Sequence, residues 1–251
     1  MRQTGKLFVI LLCWVYVQSL QLPDYIKPCH RYASDVKDCI LKAAREAIPN
    51  VINGDPKYRV PAIDPLFIKE LVLNPSGSKS AFAVTLRDVN VHGVKNVEIN
   101  EVKADIEKKT IAFDIFFPEL QIDCTYNISG KVLLLPIQGQ GPGKLLFTNV
   151  RAEYGYQWEE EKKKDGKEYY RIVKSKLTEN PEKMTVKFDN LFNGNKLLGD
   201  NMNLVINENW QEIHKDLGPP VADGIAQYME NVINNIYSLV PIENVFIFDK
   251  E

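Results

Sequence analysis

Between Phe82 and Phe188 apolar side chains recur at every second position in one run after another, and the chain then changes its period. From Val221 onward Ile225, Tyr228, Met229, Val232, Ile233, Ile236 and Val240 fall three or four residues apart. Alternation gives a strand one buried face, and three-to-four spacing gives a helix one apolar side. A long helix that follows many strands can hide that side only against the sheet, and a strongly curved sheet would wrap around it. The strand runs are Phe82, Val84 and Leu86, then Val97, Ile99, Val102, Ala104 and Ile106, then Ile111, Phe113, Ile115 and Phe117. Turn signals separate them at Pro75-Ser76-Gly77, His92-Gly93, Lys108-Lys109 and Gly139-Gln140-Gly141-Pro142-Gly143, so the strands read as a long antiparallel meander. Alternation continues through Cys124 to Phe147, and from Val150 to Phe188 it flanks a charged hairpin tip centred on Asp165-Gly166.

The spacing predicts two helical ends. Val36, Ile40, Leu41, Ala44 and Ile48 mark an amphipathic helix within 32–48, with Ser34 or Asp35 as cap and Pro49 as stop. Pro219 and Pro220 suit the first turn of the last helix, with Asp223, Gln227, Glu230, Asn231, Asn234 and Asn235 on its polar side. The expected class is α+β.

Arg2 and Lys6 precede an apolar run, Leu7 to Val17, that ends at Gln18-Ser19. The run falls short of the roughly 20 residues a bilayer span needs. It has the layout of a secretory signal peptide, so residues 1–19 are expected to be removed and 20–251 to form a single secreted domain with no membrane span. Of the 4 cysteines, Cys13 leaves with the signal. Cys29 and Cys39 are expected to form a disulfide, with two separate thiols as the alternative, and Cys124 is expected to be a buried apolar side chain on a strand. Asn127-Ile128-Ser129 is a glycosylation sequon.

Function classes can be trimmed from the same residues. Lys plus Arg number 31 against 33 for Asp plus Glu, so no broad positive field draws the chain to nucleic acid. The triplets Glu159–Glu161 and Lys162–Lys164 suit a solvated loop. Gly139 to Gly143 contains Gly-x-Gly, but no Lys-Ser or Lys-Thr follows to hold a phosphate. The 3 histidines, His30, His92 and His214, lie far apart without metal-ligand spacing, and no nucleophile elbow or Cys-x-x-Cys stands in the sequence. We therefore expect no catalytic residues, no metal and no cofactor.

The remaining signal is a set of motifs. Cys29 and Cys39, PAIDPLFIKEL (61–71), VHGVKN (91–96) and FDNLFNGNKLLGDNMNLVINENWQEI (188–213) together resemble the takeout and juvenile-hormone-binding protein family of insects. The NLFNG, LLGDNMN and NENW elements look more like the takeout branch than the hormone carriers proper. The resemblance spans the mature chain. It implies a tubular lipid-binding (TULIP-like) fold, a long carboxyl-terminal helix wrapped by a highly curved antiparallel sheet around an apolar tunnel. It also implies a secreted carrier of a small lipophilic ligand, without catalysis. The hormone carriers have a second, later disulfide, whereas the only later cysteine here is Cys124, so a terpenoid and a fatty-acid-like lipid are both implied.

Carried over by residue, Tyr154 of Tyr154-Gly155-Tyr156 matches a tyrosine whose hydroxyl meets a polar group at the ligand's buried end; plain packing is its other role. Trp210 and Phe192 are tunnel-wall or core residues. Ile63, Leu66 and Phe67 are placed at one tunnel end, and Ile225, Met229, Val232 and Ile236 on the helix side. Asn190, Asn193, Gly194 and Gly199 are expected in turns. The competing functional class is an extracellular interaction protein with a filled core, acting through its surface on a receptor or another carrier.

Overall fold

The computed structural model describes residues 20–73 and 81–248. The signal-peptide reading at 1–19 and the turn at Pro75-Ser76-Gly77 lie outside the described residues. In chain order the elements are β1 (Cys29–His30), α1 (Val36–Val51), β2 (Leu66–Leu73), β3 (Ala81–His92), β4 (Glu98–Asp105) and β5 (Thr110–Val132). They continue with β6 (Leu135–Lys162), β7 (Glu168–Phe188), α2 (Lys196–Glu208), α3 (Trp210–Tyr237), α4 (Ile242–Val245) and β8 (Phe246–Ile247). The main sheet is antiparallel in the order β2-β3-β5-β6-β7, with β4 also paired to β5. It is open, and α3 lies against β7 with its apolar side toward the sheet's inner face. This is the tubular lipid-binding architecture.

Three strands are unusually long, at 23, 28 and 21 residues for β5, β6 and β7. A single feature divides them. Pairing lapses where Pro118 faces Asn149 and Asn149 faces Glu182, since proline donates no ladder hydrogen bond and Asn149 has a positive φ of 49°. Asn149 Nδ2 donates instead to a Glu182 carboxylate oxygen at 2.8 Å.

On one side of this line Val84, Leu86, Tyr126, Ile128, Val186 and Phe188 pack with α2 and the first half of α3. On the other side Val102, Ile111, Ile115, Tyr154, Trp158 and Ile172 pack with the second half of α3. A small cluster around Tyr58, Val60, Ile236 and Val240 closes the latter end.

Several sequence expectations need correction. Pro49 lies inside α1, which runs on to Val51. Proline is exposed there in the last turn, where water can take the freed carbonyl. Likewise α3 starts at Trp210, and Pro219 and Pro220 sit in its interior on the solvent side. Their missing N–H groups leave the carbonyls of Lys215 and Asp216 to solvent.

The Gly139–Gly143 stretch is continuous β6 strand, not a connection. A Cβ on Gly139 would lie 2.9 Å from the Leu191 Cα, and one on Gly143 would lie 3.1 Å from the Phe188 ring, so these glycines admit close packing. The turn is at Leu133-Leu134, whose φ values of 50° and 70° fit a two-residue type I′ hairpin. Gly199 is buried in α2, whereas Asn190, Asn193 and Gly194 do take positive φ in a turn.

Asparagines finish the sheet's β7 edge. Val186 N–H donates to Asn207 Oδ1 at 2.7 Å, and Asn207 Nδ2 donates back to the Val186 carbonyl at 2.8 Å. Phe188 and Asn203 repeat the pair at 2.9 Å in both directions. Asn234 of α3 does the same for Ile172, at 2.8 and 3.4 Å, so it faces the strand edge and not solvent. Each carboxamide stands in for the missing neighbouring strand.

Candidate ligand cavity

The half of the fold beyond the Pro118–Asn149 line is hollow. A cavity of about 400 Å³ lies between α1, the inner face of β4 to β6 and the end of α3, within the size range of small-molecule sites. Helix α1 roofs it because its apolar side, with Ile40, Ala44, Ala47 and Ile48, faces inward. Arg45 fastens the roof by donating from Nε to the Ile99 carbonyl of β4 at 2.8 Å. The three small side chains Ala43, Ala44 and Ala47 leave the space that larger ones would fill.

The roof is tied at its other end by chemistry the sequence predicts. Cys29 and Cys39 form a disulfide that joins β1 to α1, and β1 pairs in parallel with β8 through Cys29 and Phe246. Both Cys29 and Phe246 line the cavity. Closing so short a loop restricts the unfolded chain by about 3 kcal/mol. Cys29→Ser combined with Cys39→Ser is therefore expected to lower unfolding free energy by about that much in urea titration; a loss below roughly 1 kcal/mol would mean that packing alone holds α1 in place. Cys124 is free and buried, and burial with nearby Asp123 pushes its thiol up to about 11, so it behaves as a small apolar side chain.

The floor carries an aromatic row. Tyr154, Tyr156 and Trp158 point inward from β6 with ring centres 5.9 and 6.1 Å apart, and Tyr170 continues the row 5.9 Å from Trp158. Some of its polar atoms are satisfied. The hydroxyls of Tyr156 and Tyr237 share a hydrogen bond at 3.0 Å, and Arg31 donates to the Tyr170 hydroxyl at 3.2 Å. Two are not: Tyr154, 2% exposed, and Trp158, 5% exposed, have a hydroxyl and an indole N–H with no hydrogen-bond partner among the described residues. Ser175 is near enough to Tyr154 to ease its ionisation slightly, but its own hydroxyl donates to Glu230 at 2.8 Å. An orphaned buried donor costs about 1–3 kcal/mol.

Burial, and for Tyr154 also the Glu230 charge, raises the phenols of Tyr154, Tyr156, Tyr170 and Tyr237 above the usual tyrosine range. They stay neutral at ordinary pH. They can donate hydrogen bonds but are poor general bases. Lys27 is the one charged side chain among the described residues of the lining, and it pairs with Glu46 at 3.5 Å on the surface.

Of the residues singled out by sequence, Ile63, Tyr154, Met229, Val232 and Ile236 line the cavity. The others lie elsewhere. Ile225 packs against the surrounding cluster, while Phe192 and Trp210 pack into the filled half. Leu66 is buried on β2, and its neighbour Phe67 turns outward at 54% exposure, as alternation requires. Sequence reading missed Ala43, Ala44, Ala47, Tyr156 and Trp158. Continued alternation through Tyr-Gly-Tyr-Gln-Trp pointed to the last two. Asn127 is exposed on the outer face of β5, between Thr85 and Gln140 of the adjoining strands.

No helix of the described residues is long and apolar enough to cross a membrane, and no group of three or more His, Cys, Asp or Glu among them could hold a metal ion.

Comparison with known proteins supports one lineage. The family described as haemolymph juvenile hormone binding protein matches residues 7–247. The circadian clock-controlled protein daywake of Drosophila melanogaster is 24% identical, with 98% of this chain and 99% of that protein covered. Its Drosophila yakuba counterpart is 22% identical over 96% and 95%. Among solved structures, Takeout 1 of Epiphyas postvittana superimposes with a TM-score of 0.79 at 28% identity, covering 88% of this chain and all of that one.

Proposed function

The chain belongs to the haemolymph juvenile hormone binding protein family, whose members bind lipophilic ligands, and from that premise we propose that it is a secreted carrier for one small elongated lipid. The observation that carries this reading is the cavity of about 400 Å³, apolar throughout except for a few aromatic polar atoms and a surface lysine. Export is supported by the apolar run Leu7–Val17 and by a disulfide that an oxidising compartment would preserve. The exposed Asn127 sequon would be open to glycosylation along that route.

Carriage follows from transfer free energy. A lipid that buries about 300 Å² of apolar surface gains about 7.5 kcal/mol. Ordering costs remove part of this, so an all-apolar ligand binds near the micromolar range. Ile63, Met229, Val232 and Ile236 would supply wall contacts indifferent to chemical detail. Tyr154 would choose among head groups, because its hydroxyl is the buried end's uncommitted phenol.

Native mass spectrometry of protein purified under lipid-retaining conditions should show one bound lipid per chain, displaceable by a fluorescent fatty acid. Tyr154→Phe should weaken oxygen-bearing lipids about five- to tenfold and spare plain hydrocarbons. Protein that stays empty and takes up no probe would remove the carrier reading.

A further inference from the structure

We propose that the Trp158 indole N–H is a second polar anchor, and that the ligand therefore carries an acceptor oxygen, such as a carbonyl, ester or ether, apart from the one that meets Tyr154. This rests on the carrier reading and makes it chemically narrower. Trp158 lines the cavity, is 5% exposed, and has no hydrogen-bond partner for Nε1 among the described residues. The hydroxyls of the two rings packed against it point to other partners. The Tyr156 hydroxyl is shared with Tyr237, and the Tyr170 hydroxyl receives Arg31.

An indole can donate and cannot accept, so a hydroxyl or carbonyl oxygen would serve and an ammonium would not. Water is a weak substitute, because a buried water needs two to four polar partners and the surrounding wall is apolar.

The backbone fixes where the two donors stand. The β6–β7 register shifts between Gln157 and Trp158, and the Trp158 backbone N–H donates to the Lys109 carbonyl at 3.1 Å. The extra residue is Val173 on β7, so β6 itself keeps unbroken alternation and Tyr154, Tyr156 and Trp158 all face the cavity. Tyr154 and Trp158 then stand on one face of the same strand, four residues and about 13 Å of strand rise apart. The two free donors are separated along the cavity, which suits two oxygens on one extended chain better than a single head group.

The test uses the purified, disulfide-bonded protein with three probes: dimethyl dodecanedioate, methyl tridecanoate and n-tetradecane. Trp158→Phe keeps an aromatic ring, a smaller one, and deletes the donor. It should weaken the diester about five- to tenfold and change the monoester, which can still use Tyr154, and the alkane by less than twofold. In a ¹H–¹⁵N spectrum the diester should move one tryptophan indole proton downfield, and that signal should be the one missing from Trp158→Phe. Equal diester affinity in both proteins with an unmoved indole proton would overturn the inference and leave the carrier reading standing. Failure of all three probes to bind wild-type protein would defeat the carrier reading and this inference with it.

Discussion

Ala44→Trp should lower affinity for a fluorescent fatty acid roughly 70-fold while the protein still unfolds cooperatively. Ala44 lies on the inward side of α1 in line with Ile40 and Ile48, so a larger side chain there projects into the void. Core residues usually resist enlargement because neighbours must shift. Here the neighbour is empty volume, and the added ring competes with the ligand instead. Displacing about 100 Å² of ligand contact forfeits about 2.5 kcal/mol, which gives the stated factor. Lys42→Trp, on the exposed side of the same helix, is the control and should bind like wild type. If Ala44→Trp binds the probe as tightly as its control, the lipid is not under α1 and the site assigned to it is wrong.

What sequence could and could not show follows from which signals are local. The alternation of β5 to β7 and the stripe of α3 are repeats of side-chain polarity, and they read correctly because burial of one face dictates them. The ends of elements were harder. Pro49 and Pro219-Pro220 look like boundaries, yet each lies on an exposed helix face where lost hydrogen bonds go to water. Leu133-Leu134 turns the chain without glycine or asparagine, and Gly139 and Gly143 mark close packing in a strand, so composition pointed to the wrong place.

The cavity was legible only in part. Tyr154, Met229, Val232 and Ile236 came from motif and periodicity, but emptiness is a property of three elements meeting. The alanines of α1 look like ordinary helix formers until the β5 and β6 side chains opposite them are placed. Trp210 and Phe192 had the right chemistry but fall on the filled side of the Pro118–Asn149 line, which no local pattern announces.

The same reasoning explains why the 188–213 motif is so long. Its asparagines are a substitute strand: Asn203 and Asn207, one helical turn apart on α2, meet Phe188 and Val186, alternate residues whose backbone groups face outward from β7. Helix repeat and strand repeat coincide at this spacing, and each carboxamide offers the donor and the acceptor that a strand backbone would. Asn203→Ala with Asn207→Ala removes five hydrogen bonds, four of them to β7, and orphans two N–H and two carbonyl groups on a partly buried edge. Unfolding free energy should fall by about 3–6 kcal/mol, which for a chain of this length shifts the melting temperature by about 10–20 °C. Asn209→Ala, whose exposed side chain bonds only the Val205 carbonyl in the last turn of α2, should cost much less. A double variant within about 1 kcal/mol of wild type would mean that water finishes the β7 edge as well as the carboxamides do. Asn234 applies the same device beside Trp158, because its partner Ile172 pairs with Trp158 across the sheet. The edge that holds α3 in place is therefore also the edge that fixes one wall of the cavity.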